Sequence, residues 1–171
     1  YFDVIVSSPQ RGQFTVIFSD ITERKRAEGA RRESEARIRL LLESIGEGVF
    51  GIDPEGICIF ANPACTRLLG FADASELVGK NIHNIIHHTH SDSSPYHNSE
   101  CLSYQAIREG KDFYTEDDVL WRADGESFHA EYRSSPIRQD GRVAGAVVTF
   151  SDITWRKQAE ERLRSSNELL E

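Results

Sequence analysis

Val147–Glu160 reads VVTFSDITWRKQAE, and nearly the same phrase stands earlier in the chain as TVIFSDITERKRAE, Thr15–Glu28. Ten of the fourteen aligned positions are identical, at a constant offset of 132 residues. An offset of that size is a duplicated domain, because solenoid and propeller units recur every 20–50 residues or so. Each copy runs from an apolar β-type stretch through Ser-Asp into a charged segment of helical character. The phrase therefore marks where a domain closes and a connecting helix opens. Read outward from it, residues 1–22 are the C-terminal strands of an upstream copy and 23–44 a helical linker. Residues 45–154 are a complete copy, and 155–171 begin the next helix.

Composition narrows the function classes. Lys and Arg number 20 against 28 Asp and Glu, a net charge of −8, which argues against nucleic acid because phosphate binding needs a basic face. No apolar run approaches the roughly 18 residues of a membrane-spanning helix, so no membrane contact is expected of this segment. Cys58, Cys65 and Cys101 are odd in number and widely spaced, which suits a reducing cytoplasmic setting better than a disulfide framework. With no Met and no signal peptide, the chain reads as a piece of a longer protein.

The linker from Glu23 to Ser44 contains no Pro and a single Gly, with seven basic and five acidic residues. Thr22 is the expected N-cap. Ala27, Ala30, Ser34, Ile38, Leu41 and Ile45 form a small-to-apolar stripe spaced 3, 4, 4, 3, 4, a heptad seam with one extra four-residue step. Ala159, Leu163, Ser166 and Leu170 continue the pattern after Trp155. Two readings fit: a solvated helix laid on its own domain, or a parallel two-stranded coiled coil in a homodimer. Helices in register at both ends of a domain favour the homodimer.

Within the complete copy, GVFGID (Gly48–Asp53) and ICIFAN (Ile57–Asn62) flank Pro54-Glu55-Gly56, a β-hairpin pattern. Asn62-Pro63-Ala64 starts a helix that Gly70 stops. Short helical segments follow at Ser75–Gly79, Asn81–His88 and Cys101–Gly110, with a polar loop over His88–Glu100. Three β runs close the unit, about Tyr114–Arg122, Ser127–Pro136 and Arg142–Ser151, joined by turns that end in Asp124-Gly125 and Asp140-Gly141. Strands, then helices, then a meander of strands predict an α+β domain: one five-stranded antiparallel sheet with short helices on one face.

EGVFGIDPEGICIFANPACTRLLGF (Glu47–Phe71), GKNI (Gly79–Ile82), RADGESF (Arg122–Phe128) and SDITWRKQAE (Ser151–Glu160) together resemble a PAS domain of a bacterial multidomain sensor, with the PAC-type ending of tandem copies. The resemblance covers Ile45–Thr154 in full, and Tyr1–Thr22 resembles the last strands of a preceding copy. It implies a sensory and dimerisation module feeding a C-terminal output domain in cis. The output that the resemblance implies is a histidine kinase of a two-component phosphorelay, with a diguanylate cyclase as the runner-up. A ligand pocket is implied between sheet and helices, and Phe50, Ile59, Ile86, Ile107, Phe128, Tyr132 and Val148 are the candidates to line it. Haem-binding members use a His of the helix after the loop, and the helix from Cys101 has none. NIHNIIHH (Asn81–His88) is also not the Asn-Cys-Arg-Phe-Leu-type motif of the flavin photosensors. A small organic ligand or no cofactor at all remains open.

Neither a phosphate-binding Gly-rich loop nor a nucleophile elbow is present, so this fragment is not expected to be an enzyme. Glu116-Asp117-Asp118 reads as a solvated strand edge. Five of the six histidines, His83, His87, His88, His90 and His97, fall in one window with Cys101 close behind. Imidazole and thiolate at these spacings suit Zn²⁺ or a soft transition metal, which makes His87, His90, His97 and Cys101 the candidate ligands and Asp92 an auxiliary. The alternatives are a plain polar loop or a haem ligand. Finally, Asp152 and Thr154 precede a helix whose free N–H groups they can engage, with Arg156 positioned to pair with Asp152. These three form the candidate signal junction.

Overall fold

The computed structural model of the protein describes residues 1–11 and 13–168. Two compact units result, residues 1–41 and 42–171.

In the first unit β1 (Phe2–Gln10) pairs antiparallel with β2 (Gln13–Asp20), Phe2 opposite Asp20 and Ser7 opposite Thr15. The apolar side chains of this hairpin, Phe2, Val4, Ile5, Val6, Phe14, Ile17 and Phe18, are exposed. Helix α1 (Thr22–Ser44) follows. Its first turn is capped by Asp20, whose Oδ1 accepts from Thr22 N at 2.9 Å, rather than by the hydroxyl of Thr22 itself.

The second unit holds the complete domain. Its elements are β3 (Gly48–Ile52), β4 (Cys58–Ala61), α2 (Pro63–Leu69), a 3₁₀ turn at Ala74–Glu76, α3 (His83–Ile86), α4 (Leu102–Glu109), β5 (Phe113–Trp121), β6 (Ser127–Gln139), β7 (Arg142–Asp152) and α5 (Thr154–Glu168). The sheet order is β4-β3-β7-β6-β5, with every neighbouring pair antiparallel. Phe128, Ala130 and Tyr132 of β6 point inward and join Phe50, Ile52, Val148 and Phe150. Cys65, Leu69, Leu77, Ile82, Ile86 and Ala106 cover them from the helical side. This is the α+β arrangement expected, with the element boundaries shifted by up to three residues.

Local chemistry sets the turns. Asp140 and Gly141 both take positive φ, 50° and 76°, the combination a two-residue hairpin needs to match strand twist. Gly145 sits at φ 149°, where a Cβ would collide with the carbonyl of Ile52 on the neighbouring strand; only glycine lets β3 and β7 approach there.

Asn62 does more than cap α2. Its Oδ1 accepts from Cys65 N at 2.8 Å and from Val49 N at 2.9 Å, while Nδ2 donates to Leu42 O at 3.1 Å and Glu47 O at 3.0 Å. Four bonds from one buried amide tie Leu42, the first residue of this second unit, and Glu47 to β3 and α2.

A buried histidine–cysteine cluster as the candidate functional site

His83 opens α3 and His87 directly follows its last residue. Four residues apart, they share one face, and that face is turned into the protein: both side chains are buried. Cys101, also buried, is the residue immediately before α4. Its Sγ lies 3.4 Å from His87 Nδ1. The other nitrogen of His87, Nε2, lies 2.9 Å from Asp118 Oδ1. A carboxylate can only accept, so His87 Nε2 carries hydrogen. His83 Nε2 lies 2.9 Å from the carbonyl of Tyr96 and is a donor for the same reason. Tyr96 lays its ring against His87 at 4.1 Å. From the sheet side the Tyr132 ring lies 5.5 Å from His87, and the Tyr132 hydroxyl is hydrogen-bonded to Ser103.

Asp118 reaches this cluster through a β-bulge. Between Thr115 and Asp118, β5 carries one residue more than β6, since Thr115 pairs with Tyr132 and Asp118 with Ala130. The extra residue lets Glu116 and Asp117 both face solvent while Asp118 turns inward, where it is 7% exposed. The solvated-edge reading therefore holds for Glu116 and Asp117 and is corrected for Asp118.

The three cysteines differ in electrostatic setting. Burial pushes Cys58 up to about 11 and Cys65 up to about 12. Burial also acts to raise Cys101, but the imidazoles of His83 and His87 outweigh it and bring the thiol down to about 6. Burial opposes a charge on His87 as well, yet Asp118 and Cys101 together raise it to about 9. A thiolate and an imidazolium thus stabilise each other inside the core.

Of the proposed ligand set, the structure brings His87 and Cys101 together and adds His83. His90 is half-buried and points to Glu100, 3.5 Å away, and His97 is exposed. Asp92 closes a turn by accepting from Ser94 N at 2.9 Å. His88 stacks on Trp121, with 5.2 Å between ring centroids. Of the residues expected at a ligand pocket, Phe50, Ile86 and Tyr132 line a small cavity beside the cluster. Phe128 and Val148 belong to the packed core, and Ile107 packs against it from α4. Ile59 is 49% exposed and lies away from that interior. The cavity offers ≈ 10 Å³ to a water-sized sphere, against the several hundred Å³ of a small-molecule pocket. Haem does not fit this interior, and α4 (LSYQAIRE) offers no His to ligate it.

The junction residues are placed as follows. Asp152 Oδ1 accepts from Thr154 N at 2.9 Å, and Oδ2 pairs with Arg122 Nη2 at 2.6 Å. Arg122 also donates to the Leu68 carbonyl and lies over the Phe128 ring at 4.2 Å. Arg156 reaches Glu131 at 3.4 Å in place of the pairing with Asp152 suggested by sequence. The Thr154 hydroxyl is buried without a hydrogen-bond partner. Lys157 of α5 reaches Asp117 at 2.5 Å.

No helix among the described residues is long and apolar enough to cross a membrane. A family model described as the PAS fold matches residues 36–153. The probable diguanylate cyclase DgcE of Escherichia coli K12 is 28% identical over 151 residues, 86% of this chain and 13% of DgcE. The signal transduction histidine-protein kinase AtoS of the same organism is 27% identical over 144 residues, 82% of this chain and 22% of AtoS. The chain thus spans less than a quarter of either relative. Among solved structures, an RNA-binding light-oxygen-voltage receptor superposes with a TM-score of 0.62 at 26% identity, covering 79% of this chain and 37% of the receptor. The sheet order, the helices on its inner face and the match over residues 36–153 agree, and the chain belongs to the PAS family of sensory domains.

Proposed function

We propose that this chain is a cytoplasmic sensory and dimerisation module, the second PAS copy of a tandem, which passes its state through linker helices to a C-terminal output domain. The observation that carries this reading is the Asp152 junction. One carboxylate holds both the first free N–H of α5 and the guanidinium of Arg122 at the end of β5. A change in the core that moves β5 or β6 is thereby felt at the start of the outgoing helix. In this reading catalysis belongs to the output domain, most simply a histidine kinase as in AtoS. The match of DgcE along most of the chain favours a diguanylate cyclase as the second reading.

The test uses the parent protein with Asp152→Ala and Arg122→Ala. Each variant should change regulated output severalfold, whereas loss of a cap alone costs only about 1 kcal/mol of stability. Normal basal and stimulated output in both would reduce the junction to a structural cap. Phosphoryl transfer from ATP to a histidine, against synthesis of a cyclic dinucleotide from GTP, decides between the two outputs.

A further inference from the structure

From the buried cluster we infer a site for a zinc-type divalent cation, ligated by His83, His87 and Cys101. One ring nitrogen of each histidine and the Cys101 sulfur lie within 4.8 Å of one another. The two imidazoles are oriented as metal ligands are: each donates its outer N–H to an oxygen, His87 Nε2 to Asp118 and His83 Nε2 to the Tyr96 carbonyl. A carboxylate or carbonyl in that position fixes ring and tautomer and raises the basicity of the opposite nitrogen. The opposite nitrogens are the ones left for an ion. His87 Nδ1 is 3.4 Å from the sulfur, and tetrahedral zinc with ordinary Zn–N and Zn–S bonds spans about 3.6 Å between such a pair. The pair therefore needs almost no movement.

Two further observations point the same way. His83 Nδ1 is buried with no hydrogen-bond partner, and orphaned polar atoms in a protein interior are rare enough to ask for a ligand. The cavity lined by His83, His87 and Cys101 has ≈ 10 Å³ open to a water-sized sphere, which is room for one water or one ion and nothing larger. The donor set selects the class of ion: two imidazole nitrogens and one cysteine sulfur suit a borderline-soft dication such as Zn²⁺ and not the hard, oxygen-seeking Mg²⁺ or Ca²⁺. Three protein ligands supply three of the four tetrahedral positions that zinc takes. The ion would clamp α3 and α4 together, with Asp118 bracing it from β5. The site stands independently of which output domain the module serves.

The test is equilibrium binding of Zn²⁺ to the untagged, metal-depleted chain against a chromophoric chelator, with X-ray absorption on the loaded, unmodified protein. One equivalent should bind, with one sulfur at about 2.3 Å and two imidazole nitrogens at about 2.0–2.1 Å. His83→Gln and Cys101→Ser should each weaken binding at least about 100-fold, and Asp118→Asn about 10–100-fold. His90→Ala with His97→Ala should leave it unchanged. Absence of a stoichiometric site, absorption without a sulfur ligand, or binding that survives Cys101→Ser and disappears with His90 and His97 would each overturn the assignment. Affinity for Cu⁺ with none for Zn²⁺ would overturn the divalent class. Because the absorption measurement uses the unmodified protein, a variant that fails to fold does not shield the proposal.

Discussion

Asp152 answers to two unlike partners, a backbone N–H and a guanidinium, and its titration follows from them. Partial burial works against the charge, but the contact with Thr154, whose N–H donates to it, and the Arg122 cation outweigh it and hold the carboxyl below its ordinary value. A carboxyl lowered on folding contributes stability at pH values above its unfolded pKa, about 3.9. That contribution is lost as pH falls through the folded value. Asp152→Asn keeps the cap acceptor and removes the charge, so it should cost about 1 kcal/mol at pH 7, with the gap closing as pH falls through the lowered folded value. Thermal melts of both proteins across that range check it; a gap that stays constant down to acid pH would contradict the ion-pair account. Part of this residue-level chemistry was legible in sequence. Asp before a charged helix announced a cap, and His87 and Cys101 drew notice as metal-type residues in one window. His83 is in that window too, but only the helical turn of α3 shows that it shares a face with His87. Arg122 reaches Asp152 across the sheet and Asp118 reaches His87 from sheet to helix, over 30 and 31 residues of chain, and no local pattern announces such pairs.

Elements obeyed short-range signals wherever those were strong. Asp-Gly gave both tight turns, and Asn-Pro opened α2. Helix α3 ends at Ile86, earlier than the NIHNIIHH pattern suggests, because His87 leaves helical geometry at φ −139°, ψ 35°. The bulge in β5 was invisible because three consecutive acidic residues carry no alternation to reveal which of them turns inward. On α1, Ile38 and Leu41 are 55% and 60% exposed, and Ile45 just beyond it 36%. Leu163 of α5 is 67% exposed, and Leu170 lies outside the described residues. The flanks are tied by ion pairs such as Arg31–Glu35 and Arg32–Glu28, both 2.6 Å. An apolar stripe between charged flanks is the pattern of a two-stranded coiled coil, and we propose that it is covered by the same stripe of a second copy. Leu41→Glu with Leu163→Glu would put charge in that seam and should convert a dimer to monomer in sedimentation equilibrium. A dimer of undiminished affinity would refute the seam.

Across the whole domain, the sheet's centre carries the connections. Strand β3, which follows α1, pairs with β7, which precedes α5; Gly48 lies opposite Phe150. Asn62 fastens the start of that pair, and Asn62→Ala would strand Val49 N, Leu42 O and Glu47 O as well as the cap bond to Cys65 N. The expected loss is about 3 kcal/mol, a drop in Tm of roughly 10 °C for a domain of this size. Asn62→Asp keeps the two acceptor bonds and should fall between the two; equal stability of all three would refute the bracing role. Since β3 opens the domain and β7 closes it side by side, the two ends of the domain meet. Chain ends that meet make a module easy to duplicate or delete. In each copy the outgoing helix also starts from its own aspartate, Asp20 and Asp152. The same local cap, an aspartate carboxylate accepting from the N–H of the threonine two residues on, thus opens the helix after each copy, so the helix start travels with the module when the module is duplicated.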